Sequence, residues 1–142
     1  MSIHVNKNSL LEPEECECHL IPATIEHDSS ANVAQFFTTT KKKMRLIQTI
    51  EMTATFRGRQ LQGQSVQVPE GYTGLVLKEP NKPFTEDEDR TFRATHQFKN
   101  FTYWNLETAT CANDAIVKSM VWPQIAQAIH EPVEIKKTNG SS

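Results

Sequence analysis

The chain has 142 residues, 15 basic and 17 acidic side chains, and a formal charge of −2. That length holds one ordinary domain, and the balanced charge excludes a global attraction to phosphate backbones or anionic membranes, so any nucleic-acid contact has to be local. Apolar residues make up 37% of the chain, about 40% with glycine included, below the ~45–50% usual for self-sufficient domains. So thin a core points either to unstructured stretches or to a surface that a partner completes.

Residues 1–15, MSIHVNKNSLLEPEE, are polar and acidic and carry no apolar segment behind a basic one. They are expected to form a flexible tail. No run of about 18 apolar residues occurs, and a soluble intracellular protein with no membrane partner is expected. Cys16, Cys18 and Cys111 are an odd, small set, which fits a compartment where thiols stay reduced and argues against disulfides. Cys16-x-Cys18-His19 lacks a second ligand pair at a known spacing, whereas zinc takes four ligands, so alternating strand residues are the plainer reading.

The stretch CHLIPATIE, residues 18–26, leans toward strand, with Pro22 marking an edge, a bend or a break. HDSSANVAQFF opens with turn residues and ends in Phe36 and Phe37, which on a strand face opposite sides and both need cover. Lys41, Lys42, Lys43 and Arg45 form a basic run that reads as a solvated turn. The clearest period follows in RLIQTIEMTATF, where Leu46, Ile50, Met52, Ala54 and Phe56 share one parity and Thr49, Glu51, Thr53 and Thr55 the other. This predicts a long half-buried strand. In Arg57-Gly58-Arg59-Gln60-Leu61-Gln62-Gly63 the glycines permit a positive φ or a bulge. On a continuing strand Arg57 and Arg59 share the face opposite Phe56. Val66 and Val68 resume a second strand, Pro69-Glu70-Gly71 turns the chain, and Tyr72–Leu77 gives a third, together a meander.

An acidic, proline-containing loop is expected over about 79–91, EPNKPFTEDEDRT. Beyond it Phe92, Phe98, Phe101, Tyr103 and Trp104 favour strand, although no single face holds them all. Pro123 suits a first helical turn, and Trp122, Ile125, Ala126 and Ile129 fall at i, i+3, i+4 and i+7, so one helix is predicted over about 122–130. The reading is a single β-rich domain over 16–133, with a flexible tail over 134–142.

Phosphoryl-transfer sites gather carboxylates around divalent metals about 4 Å apart. Here Asp28, Asp87, Asp89 and Asp114 fall in turns and loops, and Glu51 lies on the polar face of its strand, the usual placement of solvated charge. No nucleophile elbow, P-loop or dinucleotide-binding glycine pattern is present. His4, His19, His27, His96 and His130 form no metal-type pair. No catalytic residue and no cofactor is assigned. Arg57, Arg59, Arg93, Lys99, Tyr103 and Trp104 could line a groove that stacks bases, and a free-standing nucleic-acid-binding β-barrel is the alternative reading. A hydrolase whose residues converge only in space stands third.

An ordered series of segments carries a resemblance: HLIPATIEHD and AQFF, then FRGRQLQGQSVQVPEGYTGLVL, then FKNFTYWNLET, then WPQIAQAIHEPV. Spanning about residues 19–133, it resembles the non-catalytic C-type subunits of the eukaryotic type-2 ribonuclease H complex. The resemblance implies a mainly β chain, a small barrel-like domain intertwined with the second non-catalytic, B-type subunit in a triple barrel, with a short C-terminal helix. It also implies that the pair scaffolds the catalytic, A-type subunit. That enzyme acts on RNA–DNA hybrids and on single ribonucleotides in duplex DNA, in the nucleus, with magnesium or manganese held by its catalytic subunit. The residues chosen as interface anchors are Phe36, Phe37, Phe56, Tyr72, Leu75, Tyr103 and Trp104, with Arg57 and Arg59 as polar contacts.

Overall fold

The computed structural model of the chain describes residues 2–45 and 50–132. Expectations for residues 46–49, within the alternating stretch, and for the tail over 134–142 lie outside the described residues.

Among the described residues nine strands and three short α-helices follow one another: β1 (Ile3–Val5), β2 (Glu14–Glu15), β3 (Cys18–Leu20), α1 (Val33–Phe36), β4 (Lys42–Arg45), β5 (Ile50–Phe56), β6 (Arg59–Gln67), β7 (Gly74–Lys78), β8 (Arg90–Phe98), β9 (Asn100–Leu106), α2 (Ala115–Ser119) and α3 (Trp122–His130). The mainly β expectation holds, and α3 occupies the predicted helix; α2 is an addition. The strands form a five-stranded sheet in the order β3-β9-β6-β5-β4 and a four-stranded sheet in which β1, β2 and β7 all pair with β8. Among the described residues both sheets are open. The expected barrel-like closure is therefore corrected, because each sheet ends in a strand with a free edge. No described helix is long and apolar enough to cross a membrane.

Residues 2–15 are not a free tail here. β1 and β2 lie parallel to β8, Arg90 N–H donates to the Ser2 carbonyl at 2.9 Å, and Asn6 N–H donates to the Phe92 carbonyl at 2.9 Å. The Ser9 hydroxyl accepts from Ala94 N–H at 2.9 Å. Main-chain groups hold this segment while its side chains stay mostly exposed, so no hydrophobic period announces it.

Three further expectations change. The stretch from Asn32 is a helical turn, not a strand: Asn32 caps α1, accepting from Gln35 N–H at 3.3 Å and donating from its amide to Gln35 Oε1 at 2.7 Å, a reciprocal cap that outweighs the β preference of the phenylalanines. The basic run forms the edge strand β4, antiparallel to β5 with Arg45 opposite Ile50. The meander stops after one hairpin, since β6 pairs with β5 and β9 while β7 crosses to β8.

Arg57 is a turn residue. Phe56 pairs with Arg59, and between them Arg57 and Gly58 have φ of 49° and 79°, the doubly positive backbone of a two-residue hairpin turn whose twist matches the strands. Arg57 therefore does not sit on the strand face opposite Phe56. Alternation in β5 is as expected: Met52, Ala54 and Phe56 join one core with Phe37, Leu61 and Trp104. Trp104, fully buried at 0% exposure, pairs across the sheet with Gly63. A Cβ on Gly63 would stand 2.5 Å from the indole, so this glycine serves close packing and not a bulge.

Candidate interaction surface

The aromatic core opens onto a polar chain of contacts. Phe37, 5% exposed, meets His19, Trp104 and Phe56 edge-on, with ring centroids 5.2, 5.7 and 6.2 Å apart, the arrangement ring quadrupoles favour. β3 positions His19 beside β9, where Trp104 Nε1–H donates to His19 Nδ1 at 3.2 Å. That bond assigns the His19 proton to Nε2, which lies 3.4 Å from Glu17 Oε1. Glu17 in turn accepts from Lys41 Nζ at 2.5 Å.

Burial holds the His19 pKa below its ordinary value, with Glu17 opposing and Lys41 reinforcing the shift. The Lys41 hydrogen bond holds the Glu17 carboxyl below the usual range despite partial burial. A neutral imidazole bridging an indole and a carboxylate is a structural clamp. Among the described residues no three His, Cys, Asp or Glu side chains gather into a metal site.

Next to this core a groove of about 790 Å³ runs between α1, the segment leading into it and the β5–β6 turn. Ile25, Val33, Phe36, Phe56 and Arg57 line it. Of the predicted anchors, Phe37, Phe56 and Trp104 come together in the chain's own core. Phe36 projects into the groove, 73% exposed. The Arg57 guanidinium lies 6.0 Å from the Phe56 ring centre, a cation–π contact at the limit of its range, and Arg59 opens β6 opposite Phe56.

Tyr72 and Leu75 are elsewhere. Tyr72, 62% exposed, precedes β7, and Leu75 on β7 is also exposed, opposite Gln97 of β8. Tyr103 and Trp104 are neighbours on β9 and take opposite faces; Tyr103 is opposite Gln64, and desolvation raises its pKa. Trp104, wholly inside, presents no ring on which a base could stack. The predicted residues thus fall around the groove, on the four-stranded sheet and, for Tyr103, on the far face of the five-stranded sheet.

Sequence reasoning missed Glu17, His19, Lys41 and Gly63. Only the last left a trace, a glycine inside an alternating stretch. Glu17 and His19 stand two apart, but Lys41 comes from a segment 24 residues beyond Glu17, a pairing that no local spacing announces.

A family model described as "Ribonuclease H2 non-catalytic subunit (Ylr154p-like)" matches residues 17–129. The C-type subunit of ribonuclease H2 from Mus musculus is 30% identical over 154 aligned residues, and that from Bos taurus 29% over 153, each alignment covering 92% of this chain and 90% of the relative. With the match running from Glu17 at the polar clamp to Ile129 in α3, the chain belongs to the family of ribonuclease H2 non-catalytic subunits.

Proposed function

We propose that this chain scaffolds a ribonuclease H2 heterotrimer: it pairs with the B-type subunit in a shared, intertwined barrel, and the pair stabilises and positions the catalytic subunit. The observation that carries the reading is the four-stranded sheet. It is open, and Tyr72, Leu75 and Leu77 stand exposed on and before β7, apolar surface of the kind that another strand or sheet face covers. Closure of the barrel is then an intermolecular event. The groove-side residues Phe36 and Arg57, with Arg59, are proposed as a second contact area, and Tyr103, on the other face of the five-stranded sheet, as a separate contact.

In this reading catalysis stays in the A-type subunit, which holds the magnesium or manganese ions. The complex cleaves the RNA strand of RNA–DNA hybrids, incises at single ribonucleotides in duplex DNA, and works in the nucleus. The chain contributes no carboxylate pair to the metals.

Co-expression with the B-type and catalytic subunits, followed by size-exclusion chromatography and a hybrid-cleavage assay, tests the proposal. A stoichiometric active complex is expected, with the isolated chain leaving the hybrid intact. Magnesium-dependent cleavage by the isolated chain, abolished by changing its own Asp or Glu residues, would overturn it, as would a monomer whose melt ignores the B-type subunit.

A further inference from the structure

The crossing from one sheet to the other is made by Cys16-Glu17-Cys18. Cys16 N–H donates to the Gln97 carbonyl of β8 at 3.0 Å, and two residues later Cys18 is paired with Phe101 of β9. The main chain is therefore tied down on both sides of Glu17, to strands that flank Lys99. Side chains alternate through the crossing: Glu17 and His19 meet each other beside the aromatic core, and Cys16 and Cys18 meet each other on the other side. Their sulfurs are 3.5 Å apart, both half-buried and both free. Residues two apart on an extended stretch share a face, and here the two side chains lean toward each other.

We propose that Cys16 and Cys18 form a reversible dithiol–disulfide couple, a modification site for small-molecule disulfides of the glutathione class. The Cys16 thiolate attacks one sulfur of the oxidant, forming a mixed disulfide and releasing one small thiol. The Cys18 sulfur, as thiolate, then attacks the Cys16 sulfur, forming the internal S–S bond and releasing the second small thiol. Two protein thiols are oxidised, one disulfide is reduced to two thiols, and the protons pass to them. Backbone anchoring favours the second step over persistence of the mixed disulfide, because the resolving sulfur is already alongside. Burial and the Cys16 contact push the Cys18 thiol up to about 11, which slows the exchange, and attack begun at either sulfur closes the same ring. Ring closure fixes the crossing that joins the two sheets, with the main chain of Glu17, whose carboxylate pairs with Lys41, inside the ring.

The test uses the full chain co-purified with the other two subunits. The complex is equilibrated in glutathione buffers from fully reducing to fully oxidising, quenched in acid and alkylated. Tryptic digestion then gives the peptide from Asn8 to Lys41, which contains Cys16 and Cys18 but not Cys111. Mass spectrometry should show this peptide losing two hydrogens as the buffer oxidises and regaining them with a dithiol reductant, in the natural chain and in Cys111→Ser. Cys16→Ser and Cys18→Ser should instead carry a glutathione adduct on the remaining thiol. A peptide that stays doubly alkylated at every buffer ratio overturns the couple. So does a natural chain that accumulates only glutathione adducts or links to Cys111.

Discussion

The five-stranded sheet covers its own apolar face, burying Phe37, Ala54, Leu61 and Trp104 together. Among the described residues of the four-stranded sheet only Ala94 is a buried hydrophobic side chain, while Ile3, Leu75 and Leu77 are exposed. Strand length does not separate them, since β8 and β6 each have nine residues. Cover does: Phe37, just after α1, packs over Phe56 of β5, Leu61 of β6 and Trp104 of β9, and among the described residues no comparable side chain lies over β7, whose leucines stay open. One sheet is thus a finished core, and the other leaves its apolar side chains uncovered, so anything that binds there would add to its stability.

The sharpest way to break this contrast is Trp104→Ala. It removes a fully buried indole and its bond to His19, and it should cost about 3–5 kcal/mol through lost transfer energy and a cavity. Chemical denaturation of the co-purified complex should show this as a large drop in midpoint, or as failure to recover the chain. An unchanged midpoint would mean that the core of the five-stranded sheet is not where stability lies.

Gly63→Ala probes the same core from the opposite direction. The added methyl meets the indole at 2.5 Å, and because Trp104 is enclosed the ring has nowhere to move. About 1–3 kcal/mol should be lost to overpacking. Pairing Gly63→Ala with Trp104→Leu should recover part of that loss, since the clash partner is then smaller; strict additivity would deny the contact.

On the other sheet Leu77→Asp should act through association. The side chain is already exposed, so folding of the chain itself should change by less than about 0.5 kcal/mol. A desolvated carboxylate in a covered interface is costly, and a tagged variant should recover clearly less of the B-type subunit than the natural chain does. Equal recovery would show that β7 is not an association surface.

Much of this architecture can be read from the residues. β5 follows its period-two pattern, the prolines and acidic run mark the loop before β8, and Trp122-Pro123 opens α3 as its spacing demands. Strand pairing cannot be read in that way. β7 crosses to β8, and the N-terminal segment attaches along it, through main-chain bonds that carry no side-chain signature. The groove residues were partly visible as aromatics, but whether Phe36 or Phe37 turned inward depended on the Asn32 cap, which sets the phase of α1.

Acid should act on the polar clamp more gently. The pKa of His19 is lowered in the fold from an ordinary 6.5, so the unfolded chain binds a proton first and stability falls as pH drops from that value to the lowered one, then levels off. Glu17, also lowered, adds its loss only at more acidic pH, below its ordinary 4.5. Urea midpoints of the complex between pH 7 and 5 should therefore fall more for the natural chain than for His19→Gln. Parallel slopes would show that the imidazole does not titrate on unfolding.

Arg57→Asn should also change folding little, and that smallness is its use. Arginine at φ 49° bears a left-handed backbone cost of roughly 1–2 kcal/mol, which asparagine reduces. The variant also forfeits the contact with Phe56 at 6.0 Å, worth about 0.5–1 kcal/mol at an exposed site. The two nearly cancel, so the melt of the complex of the two non-catalytic chains should stay within about 1 kcal/mol of the natural one. If Arg57 at the groove rim docks the catalytic subunit, the variant should keep its B-type companion, recover less of the catalytic chain, and cleave less hybrid per complex. Full recovery of the catalytic chain would remove Arg57 from the docking surface. Loss of the B-type companion would mean instead that the β5–β6 turn belongs to the pairing of the two non-catalytic chains, and the groove and the β7 face would then have exchanged roles.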